Sequence, residues 1–152
     1  AFAKTCMGHL EDALAETNRS IDDLDVSCYI ILSVDRDRSA ARNAAKPLIA
    51  HYVRQVPDTT RYEFAGLDVT RMLALQHELR TAFMSGRFQG AIEALPDDVV
   101  DALAATGRPS DCIEGLRAYA AGGIKTPVLY HPLGPDRQAA TVLIHHESRP
   151  NV

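Results

Sequence analysis

Leu95–Tyr130 reads LPDDVVDALAATGRPSDCIEGLRAYAAGGIKTPVLY, and its punctuation decides the fold class. Pro96 followed by Asp97 and Asp98 opens a helix, because proline's fixed φ suits a first turn and carboxylates favour the positive end of the helix dipole. Val99, Val100, Leu103 and Ala104 recur at helical spacing, and Gly107 is expected to close the helix. A second helix repeats this grammar, with Pro109 at its first turn, Asp111 just inside it and Ile113, Leu116 and Ala120 as its apolar stripe. Gly122 and Gly123 offer the left-handed exit that helix C-termini often take. After Ile124 and Lys125, Thr126–Tyr130 is short, apolar and partly β-branched, as a buried strand should be. The expectation is helix, turn, helix, strand. A helix that feeds a buried strand through a tight glycine turn is a step of a parallel sheet, so the class is α/β.

The same residues resemble the C-terminal end of the luciferase-like monooxygenase family, which includes flavin-dependent and coenzyme F420-dependent oxidoreductases built as (β/α)8 barrels. The resemblance rests on the LPDDVVDAL helix, Gly107 and Pro109, the helix ending Arg117-Ala118-Tyr119-Ala120, and the run Thr126-Pro127-Val128-Leu129. It is a spacing of caps, a glycine and a final strand, with no catalytic signature inside it. Arg108 departs from the small hydroxyl residue that the family often places at that cap, a change costing about 1 kcal/mol locally.

Length limits what the chain can be. Its 152 residues suffice for one domain, whereas a whole (β/α)8 barrel takes about 250. The fold expected is therefore the C-terminal part of such a barrel, one incomplete domain over 1–152, helix-rich with about two parallel strands. The first residue is Ala rather than Met, and the reading adopted is a chain that begins partway through a longer polypeptide. Hydrophobic content of 46% with 24% charge belongs to an ordinary globular protein. No apolar run approaches the length of a membrane span or has the form of a signal peptide. A net charge of -4, with basic residues scattered among acids, excludes a nucleic-acid surface. The three cysteines, Cys6, Cys28 and Cys112, are read as reduced, buried thiols of a cytoplasmic protein.

Along the chain, Leu10, Ala13 and Leu14 mark an amphipathic helix from about Gly8 to Thr17. The resemblance places it after the sixth barrel strand. Val26–Val34, VSCYIILSV, is the strongest strand, with a Cys28–Leu32 run suited to burial on both faces; by resemblance it is strand seven, parallel to and near Thr126–Tyr130. Asp37 is placed to cap an alanine-rich helix starting at Ser39, in which Pro47 predicts a kink or break near Ala44–Lys46. Val56–Thr60 is expected to be a loop. The longer stretch from about 57 to 95, with Met72, Leu75, Leu79, Ala82 and Phe83 at helical spacing, reads as a helical excursion. His131–Pro135 is expected to form a rigid loop, and the tail AATVLIHHESRPNV a short helix or an added strand.

Barrels of this kind bind ligands at the C-terminal ends of their strands. That singles out Ser33–Arg36 after the first strand and Tyr130–Gly134 after the second. By resemblance the cofactor is F420 or FMN, with F420 favoured, and His131 and Gly134 are the candidate cofactor-binding residues; Gly134 would let backbone amides approach closely. The bland alternative is that Asp35 and Arg36 form a solvated turn and His131 is a surface residue. No catalytic residue and no metal ligand is assigned. Cys6 and His9 lack a second ligand pair. His145, His146 and Glu147 lie in a tail, and Asp35 with Asp37 lacks the glycine and closing Glu of a calcium loop. A helix-turn-helix reading around Gly107 would set Asp111 and Glu114 against phosphate with Arg117 alone in support. By resemblance, then, the activity is cofactor-mediated hydride transfer or oxygen activation on a small organic substrate, with no nucleic acid and no membrane involved. Unpaired strand edges imply a homo-oligomer. The rival is a non-catalytic helical oligomerisation domain.

Overall fold

The computed structural model describes residues 2–55 and 60–133. Its centre is a parallel sheet in which β1 (Ser27–Val34) lies between β2 (Ala104–Gly107) and β3 (Thr126–Leu133). Around it run α1 (Phe2–Glu16), α2 (Arg38–Gln55), α3 (Thr60–Phe64), α4 (Val69–Met84), α5 (Phe88–Glu93), α6 (Asp97–Leu103) and α7 (Pro109–Ala121). The architecture is α/β and helix-rich, and the two strands expected from composition are adjacent and parallel, with Ser27 opposite Thr126. None of the described helices is long and apolar enough to cross a membrane.

β1 is covered on both faces because its side chains alternate. Ile30, Leu32 and Val34 pack with Ala105 of β2 and Cys112 of α7. On the other face Ile31 packs against the larger core, where Ala45, Ile49 and Val53 of α2 meet Tyr62, Met72, Leu79, Leu95 and Val99. Ser33 is fully buried, and its hydroxyl donates to the Ala41 carbonyl at 2.7 Å, so its polarity ties β1 to α2 instead of costing stability. The stretch 60–93 holds α3, α4 and α5. Its side chains also close the end of α2: Tyr62 Oη and Gln76 Nε2 donate to the Val53 carbonyl at 3.2 and 2.8 Å, and Arg80 Nε to that of Arg54 at 2.8 Å.

Several expectations are corrected. Leu95–Tyr130 is not helix, turn, helix, strand: α6 stops at Leu103, and Ala104–Gly107 form β2, so the described strands number three. Alanine favours helix locally, but these residues pair with Ile31–Val34, and the ladder outweighs propensity. β3 continues through His131, Pro132 and Leu133 in place of a loop. Between the pairs Ile31–Tyr130 and Ser33–Leu133 it carries one extra residue, a bulge at the proline, which has no N–H to give the ladder. α2 runs through Pro47 without a break, held by buried Ile49, Ala50 and Val53 and by Lys46, whose ammonium donates to the Glu93 carbonyl at 3.1 Å. Of the three free thiols only Cys112 is buried, while Cys6 and Cys28 are partly exposed. Within the run expected to be buried on both faces, Tyr29 is 74% exposed. Of the loop expected at Val56–Thr60, only Thr60 is described, as the first residue of α3. The tail from Gly134 lies outside the described residues.

Candidate functional site

Two places could serve function, one at each end of the sheet. The first is the rim where the parallel strands end. Val34 is level with Gly107 and Ser33 with Leu133, so the sequence-predicted Ser33–Arg36 and His131 do converge along the chain's backbone. The Asp35 amide donates to the Gly107 carbonyl at 3.0 Å. The Asp35 and Asp37 side chains there are spent on folding. Asp35 accepts the Asp37 amide at 2.8 Å, and Asp37 accepts the Ser39 amide at 2.9 Å, which caps α2 as expected.

The centre of the rim is Asp111, in the first turn of α7. Its carboxylate receives Arg38 Nη2 at 2.6 Å and Nε at 3.2 Å, and the Arg108 backbone N–H at 2.9 Å. Asp111 thus supplies the cap that Arg108 cannot, and the Arg38 guanidinium, followed by the Arg108 amide, holds its pKa well below the usual carboxylate range. Beside it Arg42 bridges Asp101 and Asp97, with Nε to Asp101 at 2.9 Å, and Thr106 Oγ1 donates to Asp101 at 3.2 Å. These pairs lock α2, α6, β2 and α7 together.

A folded-state pKa below the unfolded value of 3.8 means that the Asp111 contribution is fully present above that value and is lost as the pH falls toward the folded pKa. An Asp111→Asn variant should therefore be less stable than the parent by a margin that is constant from neutral pH down to about pH 5 and narrows below about pH 4. Urea unfolding of both proteins across that range checks it; a margin that does not change with pH would remove the charge from the account.

The second place is a cavity of about 520 Å³ at the other half of the sheet. All five tyrosines of the chain line it, namely Tyr29, Tyr52, Tyr62, Tyr119 and Tyr130, together with Arg61. Its walls include Tyr52 of α2 and Tyr119 of α7, which cover opposite faces, so the cavity runs past the edge of β1. There, over Ser27–Ile30, β1 pairs with β3 on one side and, among the described residues, has no strand on the other, because β2 pairs only with Ile31–Val34. Tyr29 meets the Tyr130 ring edge to face at 5.8 Å. The Tyr52 hydroxyl is hydrogen-bonded to Tyr130, which raises its pKa, and burial raises that of Tyr119. Both phenols are therefore neutral at physiological pH. Sequence reasoning missed this cavity, since its tyrosines are spread over five elements; the one available signal was an aromatic residue in an otherwise aliphatic strand.

Residues 1–126 match the luciferase-like monooxygenase family. The chain belongs to that family. A 5,10-methylenetetrahydromethanopterin reductase of Archaeoglobus fulgidus is 32% identical to it over 144 residues, which are 95% of this chain and 43% of the relative. Its counterpart in Methanopyrus kandleri is 28% identical over 142 residues, 93% of this chain and 39% of the relative. The solved coenzyme F420-dependent tetrahydromethanopterin reductase from Methanopyrus kandleri superposes with a TM-score of 0.79 at 27% identity, over 95% of this chain and 40% of that one. The chain thus spans about two fifths of the length of the curated relatives it matches, and what it shares with them is part of a (β/α)8 barrel.

The described residues of this luciferase-family chain do not by themselves fit a deazaflavin or flavin. At the rim, the space that a Gly107 side chain would take lies 2.8 Å from Asp111 Oδ2, so no cradle is left there for a ligand. The α7 first turn, where an anionic tail could be received, is closed by the chain's own carboxylate. The tyrosine cavity has room for a small molecule but sits away from the strand ends at which barrels bind ligands. No candidate metal cluster is found among the described residues. Of the two residues predicted for the cofactor, His131 lies at the β3 bulge and Gly134 falls outside the described residues.

Proposed function

We propose that this chain is one part of an F420-dependent oxidoreductase of the luciferase-like family, acting by hydride transfer to or from a small organic substrate, and that it does not act alone. The observation that carries the reading is the combination of 32% identity with a named methylenetetrahydromethanopterin reductase and a TM-score of 0.79 to an F420-dependent one. The rim built by β1, β2 and β3 supplies one side of the cofactor mouth. His131, at the bulge, and Gly134, just beyond the strand, are its proposed contacts to the cofactor. FMN, with oxygen activation, is the alternative cofactor chemistry within the family, and a cytoplasmic setting goes with either. A single incomplete domain accounts for the length.

Titration separates the possibilities. The chain alone should bind neither F420 nor FMN at micromolar concentration, while a preparation completed to full family length should bind F420 in preference to FMN. Tight F420 binding by the chain alone would overturn the claim of incompleteness, and no binding by the completed protein would overturn the cofactor. The second reading, a non-catalytic helical oligomerisation domain, draws on the exposure of Tyr29 and Tyr52. It predicts self-association through that face and no cofactor binding at any length.

A further inference from the structure

We propose that the tyrosine-lined cavity is a binding site for a small aromatic monoanion, a flat ring system carrying one carboxylate or sulfonate, separate from the rim where the strands end. Size comes first: about 520 Å³ falls inside the range of about 300–1,000 Å³ that ligand sites occupy. The walls come second. Ile31, Ile49, Val53 and Leu103 give an apolar lining, and the Tyr29 and Tyr130 rings meet at 84°, a corner in which a flat ring can stack on one tyrosine and meet the other edge to face. Tyr29 is 74% exposed although it stands in the central strand, so its ring is open to a ligand without loss of core packing. Charge comes third. Arg61 is the one charged side chain among the described residues that line the cavity, and it takes part in none of the ion pairs formed among the described residues. Nothing titratable beside it supplies the missing anion: burial raises the pKa of Tyr62, Tyr119 and Cys28, and the hydrogen bond to Tyr130 raises that of Tyr52, so all four stay neutral.

These features select the ligand's chemistry. Tyrosine faces alone favour a cation, but an unpaired guanidinium on the same wall reverses that preference and makes an anion the charge that fits. A guanidinium grips a carboxylate or sulfonate through two N–H groups at once, and phenol O–H groups can donate to the lone pairs that remain. An aliphatic anion would leave the aromatic corner unused, and a neutral aromatic would leave Arg61 unanswered; the ligand needs both features.

The test titrates the chain, by isothermal calorimetry, with naphthalenes that differ only in their substituent: 2-naphthoate, 2-naphthalenemethanol and 2-naphthylmethylammonium. The carboxylate should bind about tenfold or more tightly than the alcohol, as one charge-assisted contact would give, and the ammonium should bind least. Arg61→Gln, at an exposed position, should bring the carboxylate down to the affinity of the alcohol and leave the alcohol unchanged. Ala102→Phe sets a ring into the cavity from an exposed position of α6 and should abolish binding of all the probes, with its urea midpoint reporting that the fold is kept. Should that variant fail to fold, Arg61→Gln decides the case alone. No binding of naphthoate, including its exclusion by copies of the chain that cover the mouth, would overturn the proposal. So would equal affinity for carboxylate and alcohol, or naphthoate binding untouched by Arg61→Gln.

Discussion

Leu32→Ala should cost about 2–5 kcal/mol of folding stability, enough to remove a large share of the total for a domain of this size. Leu32 is fully buried at the middle of the central strand and sits level with Ala105. It packs in one cluster with Ile30, Val34 and Cys112, with Ile113 and Leu116 of α7 against them. Truncation would leave a cavity bounded by β1, β2 and α7, and backbone pairing on both sides of β1 prevents the strand from moving in to fill it. Leu32→Met keeps most of the volume and should cost less than about 1.5 kcal/mol. Urea midpoints of the two variants, at unchanged m-value, measure the difference. Equal costs would mean that the α7 face of the sheet is loosely packed. That would also weaken the account of the rim, because α7 carries Asp111 to it.

What the sequence disclosed, and what it withheld, follows from how local each signal is. β1 announces itself, since a run as apolar as Ile30-Ile31-Leu32 is suited to a strand covered on both faces, and its parallel neighbour β3 carries the same stamp at Val128 and Leu129. Asp37 as a cap is legible because the cap and the amide it serves are two residues apart. β2 is not. Ala104-Ala105-Thr106-Gly107 has helix-forming residues at its start and becomes a strand only because Ile31–Val34, 73 residues earlier in the chain, offer it a ladder. Pro47 misleads for the related reason that buried contacts along α2 hold the helix where local geometry argues for a break. The candidate rim could be located from the strand ends alone. That its charges are consumed by capping and by Arg38–Asp111 pairing depends on the approach of α2 to α7, and no spacing in the sequence encodes that approach.

Gly107→Ala should destabilise the chain by about 1–3 kcal/mol from its backbone conformation alone, and by more where Asp111 is present. Gly107 has φ +128°, a region that L-residues rarely adopt, and it takes that value because the chain must turn from β2 into Pro109 of α7 within two residues. An added Cβ would lie 2.8 Å from Asp111 Oδ2 and 3.0 Å from its Cβ, closer than such atoms approach. Asp111 can withdraw only by giving up the Arg108 amide and the Arg38 guanidinium, which are the bonds that join α7 to α2. The two causes separate in a double-mutant cycle. In an Asp111→Ala background the clash is gone and the backbone cost remains, so Gly107→Ala should be milder there than in the parent. The same logic reaches the pH dependence: a Gly107→Ala protein that has displaced its carboxylate should no longer show the narrowing of stability below about pH 4 expected of the parent against Asp111→Asn. Should the cycle show no coupling, the glycine would be required by the turn alone, and its proximity to the carboxylate would have no energetic weight. If coupling appears together with loss of the acid response, one contact fixes both the exit of β2 and the charge at the centre of the rim, and any cofactor bound there must be held by groups other than Asp111.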